Sequence, residues 1–296
     1  LEAVYVYDRE TLQSSANSLL ELSAVDSIHY SIKANPHPDI LRLFSSMGLG
    51  FECVSPGEVQ RVLEVLPELD RSRILFTPNF ASRDEYEFGF REGVRVTLDN
   101  VHPLRHWGEV FKDRSFFLRV DPGQGRGHHE HVRTAGAQSK FGIEPDELEE
   151  VAVLVQGIGG NVTGLHSHAG SGILSTEGWA ETAVFQARVA QFFPDVSVLN
   201  LGGGLGIVYD PALESGNPKW WQSPKRKNLL TPAKYASKLI PLLKPLGLKV
   251  LIEPGRFIAG NCGILVTRVE YLKQTGVKTF IIVDAAMNDL ARPALY

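Results

Sequence analysis

The chain has 296 residues, 43% of them hydrophobic and 22% charged, with a formal net charge of -4. That is enough apolar material for a large core, and the scattered lysines and arginines leave no basic footprint for a nucleic-acid partner. No run of about 18 apolar residues occurs, and the opening LEAVYVYDRE lacks the basic and apolar regions of an export signal, so neither a membrane span nor secretion is expected.

The two cysteines, Cys53 and Cys262, sit in apolar stretches. They give neither a disulfide framework nor a CxxC pattern, and a reducing, cytoplasmic setting is the expectation. The chain opens without methionine and stops abruptly after RPALY, so it is expected to be part of a longer protein.

Short β-branched runs alternate with longer stretches of helical period, the pattern of strand-helix units around a parallel sheet. An opening strand, Val4 to Tyr7, leads to a helix beginning near Asp8. Strands are then expected at Ser27 to Lys33, Gly50 to Val54, Arg73 to Thr77 and Arg95 to Leu98. Four more follow at Phe116 to Asp121, Val162 to His168, Ser197 to Leu201 and Lys249 to Glu253, with helical segments such as Pro145 to Gln156 and Thr231 to Leu243 between them. Ser55-Pro56, Ser82 ahead of Asp84-Glu85, and Thr231-Pro232 read as helix starts. Eight strands in series within roughly 250 residues predict an α/β fold, a (β/α)8 barrel.

Beyond the eighth strand the period changes. Gly263 to Leu272 and Lys278 to Val283 are β-rich and separated by Lys273 to Val277 with no helix between them. This reads as a hairpin opening a second, β-type domain. Two strands and the N-terminal one are too few for an independent sheet, so the remainder of that domain is expected beyond Tyr296. The chain therefore divides into a lead-in over 1–25, a barrel over 26–260 and the start of a β domain over 261–296. Pro211 to Lys227, rich in Pro, Gly and charge, is the expected long loop.

Barrel enzymes carry their chemistry at the C-terminal ends of the strands. Lys33 closes the first barrel strand in YSIKAN. Desolvation there would lower an amine's pKa and make it a Schiff-base nucleophile, although a lysine snorkelling at a strand end would look the same. At the seventh strand, LNLGGGLG sets Gly202, Gly203, Gly204 and Gly206 where the chain turns toward a helix. Bared amides can cradle a phosphate there, while a tight turn alone also needs glycine. The eighth strand ends in IEPGRF, with Glu253 followed by Gly255 and Arg256; a rim salt bridge is the plain alternative.

In LHSHAGSG, strand alternation puts His166 and His168 on one face, ahead of Ser171. With no accompanying zincin pattern, a stacking or hydrogen-bonding role ranks above a metal site, and no metal is expected. His128, His129 and His131 in GRGHHEHVRT show no closing ligand spacing, and their role stays open. Glycosidase-type paired carboxylates and a GxSxG elbow are absent as motifs, which leaves hydrolase readings little support.

Taken together and in this order, YSIKAN, HSHAGSG, LNLGGGLG, EPGRF and VDAAMNDLARPALY resemble the diaminopimelate branch of the ornithine/diaminopimelate/arginine decarboxylases, enzymes of the alanine racemase-like barrel that use pyridoxal 5′-phosphate (PLP). The likeness spans almost the whole chain, and the last motif favours the diaminopimelate branch. GRGHHEHVRTAGAQSKFGI is also similar to bifunctional aspartate kinase/diaminopimelate decarboxylases.

The resemblance implies that Lys33 carries the cofactor and that His168 stacks on its face. It implies that Ser171, Gly202, Gly203, Gly204, Gly255 and Arg256 hold the phosphate, and that Glu253 pairs with the ring nitrogen and strengthens the electron sink. Arg256, Arg292 and Tyr296 would meet substrate carboxylates, a task that suits the guanidinium fork. It implies a small-molecule amino-acid substrate and a homodimer with shared active sites. The family's later Cys-Glu-Ser motif and tyrosine do not occur in this chain. The readings in competition are decarboxylation of another basic amino acid (ornithine, arginine or carboxynorspermidine), a non-catalytic PLP-binding homologue, and a barrel that uses the glycine turn for a phosphorylated sugar without PLP.

Overall fold

The computed structural model describes residues 3–122, 140–173, 175–207 and 230–291. After β1 (Val4–Tyr7) and α1 (Arg9–Leu20), eight short strands follow with helices between them. These are β2 (Ser27–Ser31), β3 (Gly50–Cys53), β4 (Ile74–Phe76), β5 (Arg95–Leu98), β6 (Ser115–Arg119), β7 (Asn161–His166), β8 (Val198–Asn200) and β9 (Lys249–Ile252). Each pairs in parallel with the next, and β9 returns to β2, closing a barrel.

The helices outside the barrel are α2 (Pro38–Ser46), α3 (Pro56–Val65), α4 (Arg83–Arg91), α5 (His102–His106), α6 (Gly108–Phe111), α7 (Leu148–Gly157), α8 (Glu177–Val189), α9 (Pro232–Leu243) and α10 (Arg256–Ala259). Their starts carry the expected chemistry. Ser55 Oγ accepts from Glu58 N and Thr231 Oγ1 from Lys234 N, each ahead of a proline in the first turn. Ser82 N–H donates to the Glu85 carboxylate. Each contact satisfies an amide that a helix start leaves open.

Two apolar layers hold the barrel. The larger lies between strands and helices, where Tyr30 meets Phe44 edge-on at 4.7 Å and Trp179 meets Tyr235 at 4.9 Å. The smaller is a separate buried cluster of Leu75, Phe117 and Leu251, contributed by β4, β6 and β9. Gly164 makes room for it, because a Cβ there would come within 2.6 Å of the Phe117 ring. Toward the C-terminal strand ends the composition changes to Ser31, Glu52, Thr77, Arg119, His166, Asn200 and Glu253, all buried. Buried polar side chains must be paired or be there for a ligand.

The expected strand Gly263 to Leu272 is two strands in different sheets. β10 (Gly263–Val266) pairs antiparallel with β1, whereas β11 (Val269–Gln274) pairs with β12 (Thr279–Val283). The break falls at Thr267 and Arg268, where Thr267 Oγ1 and Arg268 N both donate to the Asp284 carboxylate and turn the chain from one sheet to the other. Lys273 and Gln274, expected in the link, belong to β11; the turn is closed by Thr275 N donating to Lys278 O at 2.8 Å. No helix among the described residues is long and apolar enough to cross a membrane.

Candidate active site

The polar end of the barrel opens into a cavity of about 480 Å³. Lys33, His168, Ser171, Gly203, Gly204, Glu253, Gly255 and Arg256, drawn from four separate parts of the sequence, all line it. Gly202 stands directly behind, where a Cβ would meet His168 Nδ1 at 2.8 Å. Arg292, Tyr296, His128, His129, His131 and the expected loop over 211–227 lie outside the described residues.

Lys33 follows the first barrel strand rather than ending it. The strand stops at Ser31, and a single 3-10 turn, Ile32–Ala34, swings Lys33 into the cavity mouth. Its side chain is 55% exposed, and its Nζ pairs with Glu52 Oε2 at 3.4 Å. The expected electrostatics are reversed. Partial desolvation works against the charge, but Glu52, Glu253 and Glu58 outweigh it and hold the amine above its ordinary value. Lys33 is an ammonium here, with its counter-ion built in.

Glu52 is fully enclosed and accepts from Ser31 Oγ and Thr77 Oγ1 as well as facing Lys33. Three donors on one carboxylate fix it in place. Arg119, from the end of β6, is likewise buried; its Nη1 donates to Asn79 Oδ1 and its guanidinium lies 4.7 Å from the Phe141 ring centre. Sequence reasoning missed Glu52, Thr77, Asn79, Arg119, Phe141 and Asn200. The signal was available for two of them, because GFECV and SFFLRV each carry one charged residue inside an otherwise apolar strand, a pattern that burial tolerates only for a paired group.

Glu253 sits immediately past the end of β9 and is enclosed. Asn200 Nδ2 donates to its Oε1 at 2.6 Å, and His166 Nε2 stands 3.3 Å from its Oε2. Burial alone would raise its pKa; the pairing with His166, the Asn200 hydrogen bond and the nearby Lys33 charge prevail and hold it below the usual carboxylate range. His166, for which the sequence ranks stacking or hydrogen bonding above metal ligation, thus faces an acid. His168 is pushed down to about 3 by desolvation and by the Arg119, Lys33 and His166 charges, so its ring is neutral.

The glycine turn is built by close approach. A Cβ on Gly203 would lie 2.3 Å from Glu253 O, and one on Gly204 would lie 2.2 Å from Gly170 O, while Gly202 and Gly204 adopt φ of +68° and +98°. No larger residue fits those positions. Among the described residues, no acceptor pairs with the N–H of Gly203 or Gly204. The site therefore sets an amine, an ionised acid and a pair of open amides around one cavity at the catalytic end of a barrel.

Such a constellation defines a parallel eight-stranded barrel with a lysine-lined cavity at its polar end. The sequence model of "pyridoxal-dependent decarboxylase, pyridoxal binding domain" matches residues 10–260, and the chain belongs to that family. It is similar to the diaminopimelate decarboxylase of Methanothermobacter thermautotrophicus, at 35% identity over 91% of this chain and 62% of that protein. It is 32% identical to the diaminopimelate decarboxylase of Streptomyces coelicolor, over 99% of this chain and 64% of that one. The chain thus spans less than two thirds of the length of these relatives. The crystal structure of Helicobacter pylori diaminopimelate decarboxylase complexed with L-lysine superposes with a TM-score of 0.86 at 28% identity, over all of this chain and 73% of that one.

Proposed function

We propose that this cavity holds pyridoxal 5′-phosphate and that the protein decarboxylates meso-2,6-diaminopimelate to L-lysine and CO2. The observation that carries the cofactor reading is the convergence of Lys33, ionised Glu253 and the open amides of Gly203 and Gly204 on one cavity. The donor set fits the group. An amine suits its aldehyde, an anion suits a protonated ring nitrogen, and bared amides with Ser171 and Arg256 suit its phosphate. Activity and substrate are supported by the relatives named diaminopimelate decarboxylase and by the lysine-bound neighbour.

When bound, the cofactor supplies an electron sink for the bond that breaks as CO2 leaves. The chain's own residues prepare for this. Lys33 must lose a proton to solvent before it can act as a nucleophile, and Glu52 Oε2 at 3.4 Å orients the amine while favouring its charged form. Glu253, kept ionised by His166 and Asn200, favours a positive charge on its ligand. His168 offers a neutral flat ring to a stacking partner. Arg256, Arg292 and Tyr296 read the substrate carboxylates in this proposal, a role resting on the family likeness, as does the homodimer with shared sites; the cytoplasmic setting rests on two cysteines in apolar stretches with no disulfide framework.

The test is CO2 release by the PLP-loaded protein from meso-diaminopimelate, L-ornithine and L-arginine. Diaminopimelate is expected to be turned over at least about tenfold faster in kcat/KM, the value of one charge-assisted contact to its distal carboxylate. Preference for ornithine or arginine would move the protein to another branch of the family. Cofactor binding without any release would make it a non-catalytic homologue.

A further inference from the structure

The glycine turn and Glu253 belong to different strands, yet one side chain joins them. Asn200, the last residue of β8, has no exposed surface. Its Oδ1 accepts from Gly202 N at 2.9 Å, and its Nδ2 donates to Glu253 Oε1 at 2.6 Å. The amide orientation follows from the partners, since the reverse would set donor against donor and acceptor against acceptor. The backbone repeats the link, with Glu253 N donating to Gly202 O at 2.9 Å and Glu253 O filling the space beside Gly203. Gln186 Nε2 and Ser167 N in turn hold Asn200 by its own carbonyl oxygen, at 2.8 and 3.0 Å. A side-chain amide can accept from the turn and donate to a carboxylate at once, whereas an aspartate would oppose Glu253, and a leucine of similar size would leave both partners buried and unpaired.

We infer that Asn200 is a positioning residue that locks the Glu253 carboxylate to the glycine turn, so that the two ends of a phosphorylated pyridoxal ligand meet one rigid unit. This rests on the reading of the cavity as a pyridoxal phosphate site. A ligand that spans both half-sites gains from their fixed separation, whereas a ligand occupying one half gains nothing, because the cost of ordering the second half does not arise.

The experiment compares binding of pyridoxal 5′-phosphate with binding of pyridoxal, by absorbance titration of the full chain, in wild type, Asn200→Ala and Asn200→Asp. Both variants should weaken the phosphorylated ligand by about tenfold or more while changing pyridoxal affinity less than about threefold. Adding Glu253→Gln to Asn200→Asp reverses the polarity of the hydrogen bond and should recover much of the lost preference. A structural brace, including a variant that unfolds, would weaken both ligands by the same factor, and that result, or no change in either, overturns the inference. Wild-type protein that binds both ligands equally would instead remove the phosphate reading of the turn, and the inference with it.

Discussion

Lys33 and Glu52 show how a strand end in this barrel sets its chemistry. A lysine beside a lone desolvated wall would be neutral, but Glu52 is enclosed, triply engaged and 3.4 Å away, so the attraction wins. Glu52→Gln removes the anion and keeps the shape. In the cofactor-free chain it should lower the pH at which Lys33 reacts with acetic anhydride and raise its labelling at neutral pH several-fold, with labelling of Lys112 unchanged. Labelling of Lys33 that stays equal or slows would show that the pair does not govern the amine. The residues named from sequence were those with an obvious chemical reason to stand at a strand end. Those missed act on other residues: Glu52 and Arg119 show only as single charges inside apolar strands, and Asn200 works through Glu253, 53 positions away, which leaves no local pattern.

At the scale of elements, strand order was readable because period two and helix starts are local signals, as at Ser55 and Thr231. The split between β10 and β11 was not, because Thr267 and Arg268 have ordinary strand propensity and leave the ladder only through Asp284, a distant residue. The consequence is two separate two-stranded sheets whose side chains, Tyr5, Ile264, Tyr271 and Ile281 among them, remain exposed. A lone antiparallel pair is marginal in water, whereas each barrel strand is paired on both sides and packed on both faces. Hydrogen exchange should therefore deuterate the amides of β11 and β12 well before those of β3 through β8. Equal protection would mean that the hairpin is held by more than its own ladder.

For the whole molecule, the barrel's polar interior makes stability depend on pH. His29 lies inside β2, is 3% exposed, and has neither ring nitrogen paired among the described residues. Desolvation, then the Arg95 charge, push it down to about 4. His168 is depressed in the same direction, and Glu253 is held low. In each case the folded value lies below the unfolded one, so the unfolded chain binds more protons on the acid side and stability falls as pH drops. For His29 the window runs from its ordinary value of 6.5 down to about 4, and between pH 7 and pH 5 it should remove roughly 2 kcal/mol. Urea unfolding at the two pH values should show that loss in wild type and a shallower dependence in His29→Leu. An identical slope in the variant would place the proton uptake elsewhere.

The central claim, that this barrel holds pyridoxal phosphate on Lys33, is tested most directly by reducing the PLP-treated chain with borohydride and mapping the labelled peptide. The account predicts the pyridoxyl group on Lys33 and its loss in Lys33→Ala. A label on any other lysine, or an unlabelled chain after treatment with excess cofactor, would contradict it.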